Sequence, residues 1–147
     1  MKLTLDGFSP TDKKAAYKTG TTKTYVIPAP YGPDGKAGYL TATFKHAGPG
    51  NGDFAAAAAH ALEVATADDR EVTANERFAC IWDHCIIALE TNIQSGGQDL
   101  QVNIAETFIA LMNVDADELQ AVFAQMMSDI YSRQTFTEAE LAKTAGN

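Results

Sequence analysis

Basic residues are scarce over most of this 147-residue chain. Beyond Gly52 the only Lys and Arg are Arg70, Arg77, Arg133 and Lys143, set against sixteen Asp and Glu, so residues 53–147 carry a net charge of −12. Free nucleic acid is a poor partner for such a surface, because binding it takes Lys and Arg to neutralise phosphates. A basic protein surface suits it better. Long apolar runs are lacking too: no stretch approaches the roughly 18 uninterrupted apolar residues of a membrane span. Met1-Lys2-Leu3-Thr4-Leu5-Asp6-Gly7 has no apolar core of a signal peptide. The expected location is the cytoplasm, with no membrane as partner. Cysteine is limited to Cys80 and Cys85. Five apart in a stretch that reads as helix, they point in different directions and are expected to be free thiols.

What is present is enough for one ordinary domain over residues 1–147, with 46% apolar and 20% charged residues. Residues 1–52 carry seven Lys against Asp6, Asp12 and Asp34, which is +4 and brings the total to −8. The same half is rich in Thr, Gly, Pro and Tyr, and reads as a strand-and-loop part. Ser9-Pro10-Thr11-Asp12 places a cap, a proline and an acid where a short helix over Pro10 to Lys18 would start. Thr24 to Ile27 and Tyr39 to Lys45 read as strands, the second with Tyr39, Thr41 and Thr43 on one face and Leu40, Ala42 and Phe44 on the other. Pro28 to Lys36 then forms the long loop of a hairpin, with a turn at Asp34-Gly35. His46 to Gly52 breaks regular structure.

The remainder, 53–147, reads as helical. Asp53 is the expected cap of a helix over Phe54 to Thr66 that holds five consecutive alanines, Ala55 to Ala59. Thr73-Ala74-Asn75-Glu76 fits a capping box, and behind it Phe78, Ile81, Trp82, Cys85, Leu89 and Ile93 recur at helical spacing up to Ser95-Gly96-Gly97. On that stripe Trp82 is expected to be core. Asn103-Ile104-Ala105-Glu106 starts a short helix to Met112, and Asp115-Ala116-Asp117-Glu118 a longer one to about Ser132. In the latter Leu119, Val122, Phe123, Met126 and Ile130 form one apolar stripe. Thr137-Glu138-Ala139-Glu140 starts a last short helix, and the tail from about residue 142 is small and polar and expected to fray. The expectation is an α+β fold, a small N-terminal β-hairpin or sheet followed by a bundle of four to five short helices.

The residues assemble no catalytic or metal-binding set. Cys80 and His84 at i and i+4, with Cys85 next, supply half of a zinc site, but His46 and His60 are the only other histidines and form no second pair. A Cys-His nucleophile would sit inside a helix, away from the N-terminus that favours a thiolate. Gly48-Pro49-Gly50-Asn51-Gly52 precedes a helix yet lacks the Lys-Ser/Thr of a phosphate loop, and reads as a linker. Acids such as Asp68-Asp69 and Asp115 to Glu118 lie where helix dipoles favour them. No cofactor and no enzyme activity are expected. The Met126-Met127 pair beside Phe123, Ile130 and Tyr131 is the most interesting surface candidate, since thioethers suit adaptable grooves, although core packing explains Met126 just as well.

In the order of its elements the chain resembles the tail assembly chaperones of long-tailed bacteriophages over roughly residues 24–132. Leu40 to Phe44 matches the family's sheet part, Phe78 to Ile93 with Trp82 its central helix, Ser95 to Asp99 its polar loop and Ile104 to Tyr131 its last helices. The resemblance implies a cytoplasmic protein, non-catalytic, that coats a tape measure protein, long, helical and often basic, until the tail tube polymerises around it. The binding surface would draw an apolar centre from exposed members of the set Phe108, Met112, Phe123, Met127 and Tyr131, with an acidic rim including Asp115, Asp117 and Glu118. Two other readings stand beside it: a virion component, such as a tail or connector subunit that self-associates, and an acidic inhibitor of a host nuclease or defence complex.

Overall fold

The architecture is α+β. Its elements run β1 (Thr21–Ile27), β2 (Gly38–Phe44), α1 (Gly52–Ala67), α2 (Ala74–His84), β3 (Ile86–Thr91), β4 (Gln94–Ser95), β5 (Gln98–Asp99), α3 (Ala105–Met112) and α4 (Asp117–Tyr131). The computed structural model describes residues 20–138. The helix expected over Pro10 to Lys18 and the tail from about residue 142 lie outside them. Residues 133–138 are helical again. Thr137 Oγ1 donates to the Arg133 carbonyl at 3.1 Å, so Thr137 lies within this last turn and does not cap it.

Two compact units form: one joins Phe44–Cys85 to the chain from Ile130, the other joins Thr22–Thr43 to Ile86–Asp129. Neither follows the compositional boundary at Gly52.

In the Thr22–Thr43 and Ile86–Asp129 unit the sheet order is β1-β2-β3, with β2 central. Leu40 and Ala42 are fully buried while Tyr39, Thr41 and Thr43 take the opposite face, the expected alternation. Thr22 pairs with Thr43 at 2.8 Å and Thr24 with Thr41 at 2.9 Å, which sets an antiparallel register for the hairpin. Its loop turns at Asp34 and Gly35, both with positive φ.

The helix expected from Phe78 to Ile93 ends at His84, and the chain continues as strand β3. Ile81, Cys85 and Leu89 share helical spacing, but Leu89, Thr91 and Ile93 share strand spacing equally well, and all five are buried. The β-branched Ile86-Ile87 pair tips the choice. Asn103, expected to cap α3, serves β3 instead: its Oδ1 accepts from the Leu89 N–H at 2.8 Å and its Nδ2 donates to the Leu89 carbonyl at 2.9 Å. It stands in for a neighbouring strand at that residue. Gly96 and Gly97, with φ of 63° and 82°, close a tight β4–β5 hairpin in register Gln94↔Asp99. Beneath these elements Phe108, Leu111, Leu119, Phe123 and Met126 form the core.

In the Phe44–Cys85 unit, α1 is capped by Asn51 and not by Asp53: the Asn51 side chain accepts from the Phe54 N–H at 3.3 Å. Its Nδ2 donates to the His84 carbonyl at 2.8 Å, so one buried amide serves the start of α1 and the end of α2. Asn51→Ala removes both bonds and is expected to cost about 1–2 kcal/mol, read as a lower urea midpoint with an unchanged slope. The Thr73 and Glu76 capping box forms as expected. Trp82 is only half-buried, stacked on Phe78 at 5.8 Å, and the core positions of α2 and its end fall to Ile81 and Cys85. With α2 ending at His84, the stripe that was to bury Trp82 is cut short. Buried His46 packs against Phe136 at 5.0 Å, and a Cβ on Gly48 would come 2.4 Å from its ring, so only glycine fits there.

A candidate protein-binding surface

Among the described residues no three His, Cys, Asp or Glu side chains are placed to share a metal ion. Cys85 is fully buried and its thiol is pushed up to about 12, by burial first and by Cys80 next. Cys80 is raised by burial, then by the carboxylates of Asp83 and Glu76. Both shifts run against thiolate formation at neutral pH. His46 Nε2 lies 3.0 Å from the Tyr131 carbonyl, and since a carbonyl only accepts, Nε2 carries the proton there. In the glycine run before α1 the Asn51 N–H donates to the Gly48 carbonyl at 2.9 Å.

The residues expected to meet a partner part company. Phe108 and Phe123 are buried and pack edge-to-face at 5.7 Å and 90°. They are core, because α3 and α4 turn their apolar stripes toward one another, and cannot form the centre of a binding surface. Met112 and Met127 are half-buried, while Asp115, Asp117 and Glu118 are exposed at the start of α4. Tyr131 is 47% exposed and belongs to the other unit. The exposed aliphatics near the acids are Ile104, Ile109 and Val114, none of them in the expected set.

Two features were not anticipated from the sequence. The first is a polar cluster around Asp129, whose carboxylate accepts from Tyr25 Oη at 2.7 Å and Gln125 Nε2 at 2.9 Å and pairs with Lys23 Nζ at 3.2 Å. Asp129 is buried, and its only helical partner signal is Gln125 at i−4. The second is an open, largely apolar groove of about 260 Å³ between α1 and α2, walled on one side by Phe54, Ala58, Ala61 and Leu62 and on the other by Val72, Arg77, Cys80 and Tyr131, with Arg77 its one charged residue. The spacing of the α1 residues was visible beforehand; that this face stays open was not.

Comparison with protein-family models, curated proteins and solved structures found no match. The class of the molecule is therefore given by its fold alone: an α+β protein with no helix among the described residues long and apolar enough to cross a membrane.

Proposed function

We propose that this chain is a non-catalytic tail assembly chaperone of a long-tailed bacteriophage, which holds a basic helical client soluble before assembly. The observation that carries this reading is the charge of one stretch: no Lys or Arg occurs between Arg77 and Arg133. The acids of that stretch are Asp83, Glu90, Asp99, Glu106, Asp115, Asp117, Glu118 and Asp129, and all but Asp129 are exposed. A surface of one sign raises encounter rates with a client of the other sign and repels copies of itself. The exposed Ile104, Ile109 and Val114 supply apolar contact beside Glu106 and Asp115.

The test is co-expression with a candidate basic tape measure protein, followed by pull-down over a salt series. Client solubility should rise, and capture should weaken as salt screens the charges. Changing Asp115→Asn, Asp117→Asn and Glu118→Gln together should slow association several-fold at low salt while leaving dissociation nearly unchanged. No gain in client solubility, with displacement of DNA from a nuclease instead, would replace this reading with the inhibitor. Closed symmetric oligomers formed without a client would favour a virion component.

A further inference from the structure

We propose that Asn51-Gly52 is a deamidation site that the fold holds closed: when the start of α1 opens, Asn51 converts irreversibly to aspartate or isoaspartate, and the tie between α1 and α2 is lost. The chain holds one Asn-Gly pair, and it spans the cap and first residue of α1. Asparagine followed by glycine is the pairing that cyclises most readily, because a residue without Cβ leaves its backbone nitrogen open to the neighbouring side chain. Nothing among the described residues calls for glycine there. Gly52 has no positive φ, and a Cβ added to it would meet no atom within 4 Å beyond its chain neighbours and its own helix backbone. At the start of a helix alanine would serve as well or better.

The reaction needs water and no other partner. The Gly52 nitrogen loses its proton and attacks Asn51 Cγ; the new N–C bond closes a five-membered imide as the Cγ–Nδ2 bond breaks, and ammonia leaves with that proton. Water then opens the imide at either carbonyl, giving aspartate or its isoaspartyl isomer and releasing a proton as the carboxyl ionises. Attack requires the amide to turn the face of Cγ onto the Gly52 nitrogen. Two bonds hold it elsewhere: Oδ1 accepts from the Phe54 N–H at 3.3 Å, and Nδ2 donates to the His84 carbonyl at 2.8 Å. Burial of Asn51, 5% exposed, keeps water from the site as well. The product puts an oxygen where Nδ2 stood, and a carboxylate only accepts. It meets the lone pairs of the His84 carbonyl in a buried site, with Cys85 Sγ 3.8 Å from the same position. In the aspartyl product the cap on Phe54 survives, since aspartate caps as well as asparagine, and the loss falls on the tie to α2. In the isoaspartyl product an extra backbone carbon also moves the carbonyl that accepts from the Ala55 N–H at 3.0 Å.

The experiment incubates the full chain in mildly alkaline buffer over a urea series and follows Asn51 by peptide mapping, which separates aspartyl from isoaspartyl products. Deamidation should be about tenfold or more slower without urea than in the unfolded chain, and should rise with the open population as urea increases. Gly52→Ala should keep the thermal midpoint and slow the reaction of the unfolded chain about tenfold or more. Asn51→Asp, the aspartyl product made directly, should unfold at a lower urea midpoint than the unaltered chain. Equal rates with and without urea would mean that the fold holds nothing closed, and no reaction at Asn51 in the unfolded chain would remove the site. An Asn51→Asp protein as stable as the unaltered chain would mean that the tie to α2 survives the change. Any one of these three results overturns the proposal.

Discussion

Phe108→Ala is expected to cost about 3–5 kcal/mol, a large part of the roughly 5–15 kcal/mol that holds a domain of this size together. The side chain is fully buried, and truncating it removes the edge of the edge-to-face pair with Phe123 at 5.7 Å as well as opening a cavity between α3 and α4. The thermal midpoint followed by circular dichroism should fall by about 10 °C or more, and loss of client binding should track loss of fold. A Phe108→Ala protein that melts like the unaltered chain yet fails to bind would return Phe108 to the binding surface and contradict its place in the core.

Asp129→Ala should come next in size, on the order of 3 kcal/mol. It strips the buried Tyr25 hydroxyl of its acceptor and leaves Lys23, 41% exposed, without the carboxylate it pairs with. Burial works to raise the Asp129 pKa, but hydrogen bonds from Tyr25, Lys23 and Gln125 and the charge of Lys23 outweigh it, and the folded value lies below the ordinary one. The stability from this group is therefore fully present above the unfolded value of about 3.9 and is lost as pH falls through the folded value. At the other end Tyr25 is held above the ordinary phenol value by burial and then by Asp129, so stability declines as pH rises past about 10. Urea midpoints from pH 2 to 7 should show an acid limb that Asp129→Asn flattens. An identical limb in that variant would mean that another carboxylate governs acid unfolding.

Much of the secondary structure was legible because it rests on local rules. The Thr73 and Glu76 box, the turn at Asp34-Gly35 and the α4 stripe of Leu119, Phe123, Met126 and Ile130 each follow from neighbours within a few residues, and each is present. The break between α2 and β3 was not legible by spacing, since Cys85 and Leu89 satisfy both a helical and an extended period. Ile86-Ile87 was the available signal, as Gly96-Gly97 was for the β4–β5 hairpin. Asn51 and Asn103 were misplaced for a related reason: a short amide caps whichever backbone lies nearest in space, and for Asn103 that is Leu89.

The sequence by itself determined the sign and distribution of charge and the α+β class, because these depend on which residues are present and on contacts within a few positions. Tertiary structure alone decided which apolar residues are spent on the core. Phe108 and Phe123 are as apolar as Phe54 and Leu62, and each lies on an apolar stripe of its own helix. Which stripe is buried depends on which helix finds a partner: α3 and α4 close on one another over Phe108 and Phe123, whereas α1 meets its neighbours with small alanine side chains and keeps Leu62 exposed.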